Sequence, residues 1–415
     1  MNTKSLLGIA KTTLLLIIVV AIVVAAVGAY LAFQRPVEAG VIKVGLLAPL
    51  TGPLSYGGMD MKQAAILAVE EINAQGGVNV GGKIYKFELI IEDDEGKPAS
   101  ATQAAQKLIT QDNVFAIVGS YSSSVTLAVQ PLIMEAKRLL IVPVAVATKI
   151  TEAGYKHTFR VCANQRMQTT QIAEWVYENL KPRTLATLAE NTDYGREGVQ
   201  IFSEVLISKG VQRVAEEYFT LGSTDFYSQL SKIKAADPDI VFTVASTNDA
   251  ANILKQAREI GLIKQFVMLG GVAQDEFLML AGEYALGLVH VSYFEAKSPR
   301  PKAAEFVKNF QARWGRPPAM YAAGTYDAIY ALKYALEKAG KLDPDAVAEA
   351  MRQLDFEGVQ GRIYFDEKGQ AQTKVLIVQV QRVQDGVNGL GRVILYPPTD
   401  KQGDYIPLSE ILKTS

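Results

Sequence analysis

Val118-Gly119-Ser120-Tyr121-Ser122-Ser123-Ser124-Val125-Thr126 decides how this chain is read. The apolar run before it, Val114 to Val118, has the length of a short buried strand. The segment after it is helix-like to about Lys137. Serine at a strand-to-helix turn has two uses. It can cap the helix, which is its commoner use. The free N–H groups of the first turn, with the helix dipole, also favour an anion or another acceptor-rich group. Both uses are open for this stretch.

The same alternation extends in both directions. Ile42 to Leu47 is an apolar run. A helical stripe of Met61, Ala64, Ala65, Ala68 and Ile72 follows and ends at Gly76-Gly77. Phe87 to Ile91 is strand-like and runs into the acidic turn Glu92-Asp93-Asp94. Another helix carries Ala101, Ala104, Ala105 and Leu108. Leu139 to Val142 is a strand broken by Pro143. A second series begins after Arg160, with strands at Thr184 to Leu188, Val211 to Tyr218, Ile240 to Val244 and Phe266 to Leu269. Strands alternating with helices imply parallel sheets covered on both faces. Near Val291 the pattern changes to helices around Phe306, Tyr326 and Val347, then to a strand-rich tail. The expected fold is α/β, with two doubly wound parallel-sheet lobes and a cleft between them.

The chain has 415 residues, 49% hydrophobic and 20% charged, with a formal charge of −1. A nearly neutral chain offers no basic field for nucleic acid. One cysteine, Cys162, excludes an internal disulfide. The two histidines, His157 and His290, make histidine catalysis or a metal site poor readings, and no cofactor is expected. Lys4 and Lys11 precede an uncharged run of 22 residues, Thr12 to Phe33. That length spans a bilayer. It reads as a membrane anchor with the bulk of the chain outside, and Ala26-Val27-Gly28 as an alternative signal cleavage site. Residues 34–40 read as a tether.

The turn after the first strand, Ala48-Pro49-Leu50-Thr51-Gly52-Pro53, is neither a dinucleotide-binding fingerprint nor a phosphate-binding loop. No nucleophile elbow is present. Asp93-Asp94-Glu95 reads as a solvated acidic turn. What remains is a group of polar and aromatic residues at strand C-terminal ends: Tyr56, Ser122 to Ser124, the segment from Val144 to Thr148, and Asp193 with Tyr194. Ligands of open α/β sheets sit at such ends, and a tyrosine wall suits a small amphipathic solute.

In order, several pieces match a known family. They are Ile42-Lys43-Val44-Gly45, Leu50-Thr51-Gly52-Pro53 with Tyr56-Gly57, Glu71-Ile72-Asn73-Ala74-Gln75-Gly76-Gly77, and Glu92-Asp93-Asp94. The serine stretch, Gly154-Tyr155-Lys156-His157-Thr158-Phe159-Arg160, Asp193-Tyr194-Gly195, Gln256 to Leu262 and Tyr326-Asp327-Ala328 complete the set. The chain thus resembles the type I periplasmic solute-binding proteins of branched-chain amino acid ABC importers. The resemblance implies two lobes joined by three crossovers, residues 41–162 with 291–360 and residues 163–290 with 361–415. It implies closure on a solute, an amino acid above all, and delivery to a membrane permease, without catalysis. The serine turn, Ser122, Ser123 and Ser124, would hold the ligand carboxylate. Tyr56, Tyr194 and Tyr321 would wall the cleft.

Two positions depart from the family pattern. Val144-Ala145-Val146 stands where the family commonly ends in a ligand-binding threonine, which leaves backbone groups. Gly270 aligns with the acid that pairs with the ligand ammonium in leucine-binding members. Asp275 and Asp193 are the candidate substitutes, since a buried ammonium needs a carboxylate or several acceptors. Urea, a short amide or a carboxylate would need fewer partners. A ligand-sensing ectodomain of the same fold is the other alternative.

Overall fold

The computed structural model describes residues 18–24 and 38–413. Residues 18–24 are helical. The rest of the expected anchor, residues 12–33, lies outside the described residues. Among the described residues no helix is long and apolar enough to cross a membrane.

The chain opens with β1 (Glu38–Ala48), α1 (Ser55–Ala74), β2 (Val78–Val80), β3 (Lys83–Asp93), α2 (Pro98–Thr110), β4 (Ala116–Gly119) and α3 (Ser123–Glu135). It continues through β5 (Leu139–Val142), a short α4 (Lys149–Glu152) and β6 (Thr158–Arg160). These strands form one sheet in the order β2-β3-β1-β4-β5-β6, parallel except for β2. Central strands of such a sheet are covered on both faces, so their side chains are apolar without alternation. All four residues of β4 and all four of β5 are buried. The matching piece from Gly154 to Arg160 ends in β6, the far edge of this sheet.

The second series runs α5 (Gln165–Leu180), β7 (Thr184–Glu190), α6 (Asp193–Ser208), β8 (Gln212–Phe219), α7 (Tyr227–Ala236), β9 (Ile240–Ala245) and α8 (Thr247–Glu259). It goes on through β10 (Gln265–Gly270), α9 (Asp275–Ala281) and β11 (Val289–Ser292). Then come α10 (Pro301–Trp314), α11 (Met320–Ala339), α12 (Pro344–Arg352), β12 (Asp355–Gly358), β13 (Gly361–Phe365), β14 (Ala371–Gln372), β15 (Leu376–Val387), β16 (Leu390–Tyr396) and α13 (Leu408–Ile411). The second sheet has the order β16-β15-β11-β10-β9-β7-β8. β12, β13 and β14 form a small antiparallel sheet of their own.

The chain passes between the two bodies at 161–164, 293–300 and 373–375. The later two crossings differ from the expected boundaries at 291 and 361. β11 pairs with β10 and β15, so residues 289–292 stay in the second sheet. Ile363, Phe365 and Ala371 bury into the first core beside α11 and α12, so residues 361–372 belong with the first body. Their amphipathic alternation, buried at every second residue of β13, is satisfied by that core. It gave no sign of which body would supply it.

In each sheet the strand order reverses once, β1 lying between β3 and β4, and β7 between β8 and β9. The carboxyl ends at such reversals leave a crevice. The two crevices face each other.

Candidate functional site

A cleft with about 580 Å³ of free space, its mouth included, lies where the two crevices meet. The first body supplies Leu54, Tyr121, Ser122, Ser123, Val144, Val146, Met320 and Tyr321. The second supplies Gln168, Glu190, Tyr194, Leu221, Ala245, Ser246, Gly270 and Gly271, and Tyr293 comes from the crossing at 293–300. Four tyrosines make this wall aromatic. Tyr121 and Tyr321 meet edge to face, ring centres 4.9 Å apart.

The serine turn divides its labour. Ser120 donates its hydroxyl hydrogen to Asp94. Ser123 Oγ accepts from the Ala147 N–H at 3.1 Å. Ser124 Oγ donates to Asp193 of the second body at 2.7 Å. Ser122 occupies the N-cap position of α3 with extended backbone, φ −82° and ψ 134°, yet makes no side-chain cap. Its hydroxyl has no hydrogen-bond partner among the described residues and lines the cleft. So the capping use of this serine is not taken up, and the first turn of α3 keeps its donors for an acceptor.

Asp93 and Asp94, read from the sequence as solvated, are structural instead. Asp94 is fully buried and accepts from the Gly96 N–H as well as from Ser120. Burial pushes its carboxyl up to about 6. Asp93 accepts from the Leu50 and Glu95 N–H groups and the Thr51 hydroxyl. Together they brace the loop behind the serine turn. The 145–147 segment is braced by Arg160, which is fully buried and donates to the Ala145 and Ala147 carbonyls at 3.2 and 2.7 Å.

Several expected site residues lie elsewhere. Tyr56 is 38% exposed and does not line the cleft. Its neighbour Gly57 makes room for the cleft residue Tyr121: a Cβ there would come within 2.1 Å of the Tyr121 ring. The Val146 carbonyl already accepts from the Gln165 N–H, and Ala145 N–H donates to Ser120 O. This segment therefore presents Val144 and Val146 side chains rather than free backbone. Ser124 and Asp193 pair with each other outside the lining. Asp275 is held at 2.6 Å by Arg392 and does not line the cleft. Gly270 lines it through backbone alone, its carbonyl accepting from Tyr321 Oη at 2.9 Å. Tyr194 and Tyr321 do line it.

The residue sequence reasoning passed over is Glu190. It is the last residue of β7 and only 7% exposed. Thr192 donates its hydroxyl hydrogen to Glu190 Oε1 at 2.8 Å, while Oε2 accepts no hydrogen bond among the described residues. Burial pushes its carboxyl up to about 7, against the lowering effect of Thr192 and with a smaller raising effect from Asp249. Among the described residues no Lys, Arg or His lines the cleft. The signal available was its place at a strand end, directly before Asn191-Thr192-Asp193-Tyr194.

A sequence model described as "Periplasmic binding protein" matches residues 41–386. The chain belongs to the periplasmic binding protein family. Membership means a solute-binding, non-enzymatic protein that works outside the cytoplasm. Among curated relatives, a leucine-, isoleucine-, valine-, threonine- and alanine-binding protein of Pseudomonas aeruginosa is 31% identical over 80% of this chain and 88% of its own length. Among solved periplasmic binding proteins, the leucine-binding protein LivK of Thermotoga maritima is 27% identical, with a TM-score of 0.78 over 86% of this chain and 99% of that one. An ABC-transporter solute-binding protein of Rhodopseudomonas palustris, in complex with 3,4-dihydroxybenzoic acid, is 30% identical with a TM-score of 0.78 over 88% and 98%. Proteins similar to this chain thus include binders of aliphatic amino acids and one in complex with an aromatic acid.

Proposed function

We propose that this chain is the solute-capturing component of an ABC importer, closing two lobes on a free amino acid and presenting it to a membrane permease. The observation that carries the reading is the uncapped serine turn facing Tyr194 and Glu190 across one enclosed cleft. Donors stand on one lobe and an acceptor on the other, which matches the two ends of a zwitterion. The lobes are residues 41–162 with 293–372, and the remainder from 163 onward. Ser122 would donate its hydroxyl, and the first turn of α3 its N–H groups, to the ligand carboxylate. Tyr121, Tyr194 and Tyr321 would wall the side chain. Branched-chain amino acids fit the relatives' names and the valine-lined floor. The uncharged run at 12–33 would hold the protein at the membrane surface.

Thermal unfolding of the full chain against leucine, isoleucine, valine, phenylalanine, glutamate, urea, short amides and simple carboxylates tests the reading. A ligand at 100 times its dissociation constant should stabilise the fold by about 2.7 kcal/mol. A panel in which no solute moves the transition would overturn it.

A further inference from the structure

Resting on the amino-acid reading above, we propose that Glu190 is the residue that recognises the ligand's ammonium group, and that through it the site selects amines over amine-free acids. Gly270, where an acid is expected from the resemblance, carries no side chain. Asp275 is paired with Arg392, and Asp193 with Ser124. The register of the second sheet supplies a replacement. Ala189, Val244 and Leu269 are partners across β7, β9 and β10, and Gly270 is partnered with Ala245. The next residues along the three strands are therefore Glu190, Ala245 and Gly270. The carboxylate has moved two strands along the same carboxyl edge, about 10 Å at ordinary strand spacing.

The surroundings suit a cation. Glu190 is buried, and among the described residues one of its oxygens is unengaged and no basic residue lines the cleft. A buried carboxylate without a counter-charge is costly, and pairing removes that cost. Four tyrosines line the same cleft, and an aromatic ring face attracts an ammonium. Tyr293 Oη is buried in the same wall with no hydrogen-bond partner among the described residues. The charge of Glu190 reaches both sides of the cleft: after burial, it is a cause that raises the phenols of Tyr121 and Tyr194. The ionisable groups facing Glu190 are Asp249 on α8, Tyr194 on α6 and Tyr121 on the serine turn. With its carboxyl near 7 when empty, Glu190 is mostly protonated at pH 6. An ammonium that binds the carboxylate then displaces that proton. Affinity should rise about 100-fold from pH 5 to pH 8, as one proton held with that pKa is released.

The test is titration calorimetry of the full chain with L-leucine and L-phenylalanine, and with their amine-free counterparts 4-methylpentanoate and 3-phenylpropanoate. It is run at pH 6 and pH 8 in two buffers of different ionisation enthalpy. The expected result is an amino acid bound at least 100-fold more tightly than its counterpart, with close to one proton released at pH 6. Glu190→Gln should lose that preference and the proton release, and gain affinity for the amine-free acids. Glu190→Asp, which keeps the charge, should retain the preference at reduced affinity. An unchanged preference in Glu190→Gln, or equal wild-type binding of acid and amino acid, would overturn the inference and leave solute binding intact. A wild-type protein that binds neither these probes nor the wider panel would overturn the functional reading and this inference with it.

Discussion

Two strand-to-helix turns face each other across the cleft, each beside the reversal of its own sheet. One joins β4 to α3, the other β7 to α6, and both stand at the point where their sheet's strand order reverses. Both put a hydroxyl residue at the N-cap with extended backbone, Ser122 in one and Thr192 in the other. They differ in what the hydroxyl does. Thr192 accepts from the Gly195 N–H at 3.2 Å and donates to Glu190, so its turn is closed on itself and an acid, Asp193, sits in the first turn. Ser122 caps nothing, and no acid stands in the first turn of α3. One turn spends its donors internally and exposes a carboxylate. The other leaves donors exposed. Two turns of like cap geometry thus have opposite polarity, which is what a site for a zwitterion requires.

The sharpest way to break the comparison is to remove what holds the first turn in place. Arg160→Met should destabilise the protein by about 3 kcal/mol, because the Ala145 and Ala147 carbonyls lose a buried donor. Chemical denaturation measures this. An effect below 1 kcal/mol would mean the serine turn is self-supporting like its counterpart.

The second turn should respond in the other direction. In the empty protein the carboxyl of Glu190 is raised from its ordinary 4.5 to about 7. A raised acid favours folding fully below the unfolded value, and that contribution is lost as pH rises through about 7. Glu190→Gln should therefore stabilise the empty protein at pH 8, by up to about 3 kcal/mol for the 2.5-unit difference. Near pH 4 it should have little effect. Paired melts at the two pH values check it. Equal melts at pH 8 would mean that Glu190 is solvated and the two turns are less unlike than described.

A smaller effect separates a donor from a spacer. Ser122→Ala removes a hydroxyl that supports no protein contact, so stability should change by less than about 0.5 kcal/mol. Affinity for an amino acid should fall about tenfold, the worth of one hydrogen bond to a charged group. Calorimetry alongside a melt distinguishes this from a cap, whose loss would cost about 1 kcal/mol of stability.

The layered fold was readable because buried parallel strands are apolar throughout and their helices keep a 3.6-residue stripe. β4, α3, β9 and β10 illustrate this. Ser122, Ser123 and Tyr194 were readable because ligands gather at strand ends, and Tyr321 only through the family resemblance. Glu190 was not, since a lone acid at a strand end usually meets solvent, and its burial comes from tertiary packing that the local pattern does not carry. Tyr56 misled for a related reason. It follows the first strand as an expected wall residue does, but the helical turn from Ser55 points it outward and puts Gly57 against Tyr121. The 361–372 segment was misplaced because the period of a half-buried strand shows that it has a core side and not which core.

The weakest contact between the two turns is the most informative about closure. Ser124 and Asp193 join their exposed rims directly, Oγ to Oδ2 at 2.7 Å, and the Asp193 N–H approaches the same hydroxyl at 3.4 Å. Beside them the Thr148 N–H donates to the Glu197 carboxylate at 3.0 Å. Neither contact touches the cleft, so both can form only when the lobes meet. An exposed hydrogen bond to a carboxylate is worth about 0.5 to 1 kcal/mol. Ser124→Ala should accordingly weaken solute binding two- to fivefold, through faster release and unchanged association. Stopped-flow kinetics resolves the two. If association slowed instead, Ser124 would act on the open form, as part of the exposed donor set that distinguishes its turn from the one opposite. If only release quickened, the donor set would end at Ser122, and Ser124 would belong to the closure.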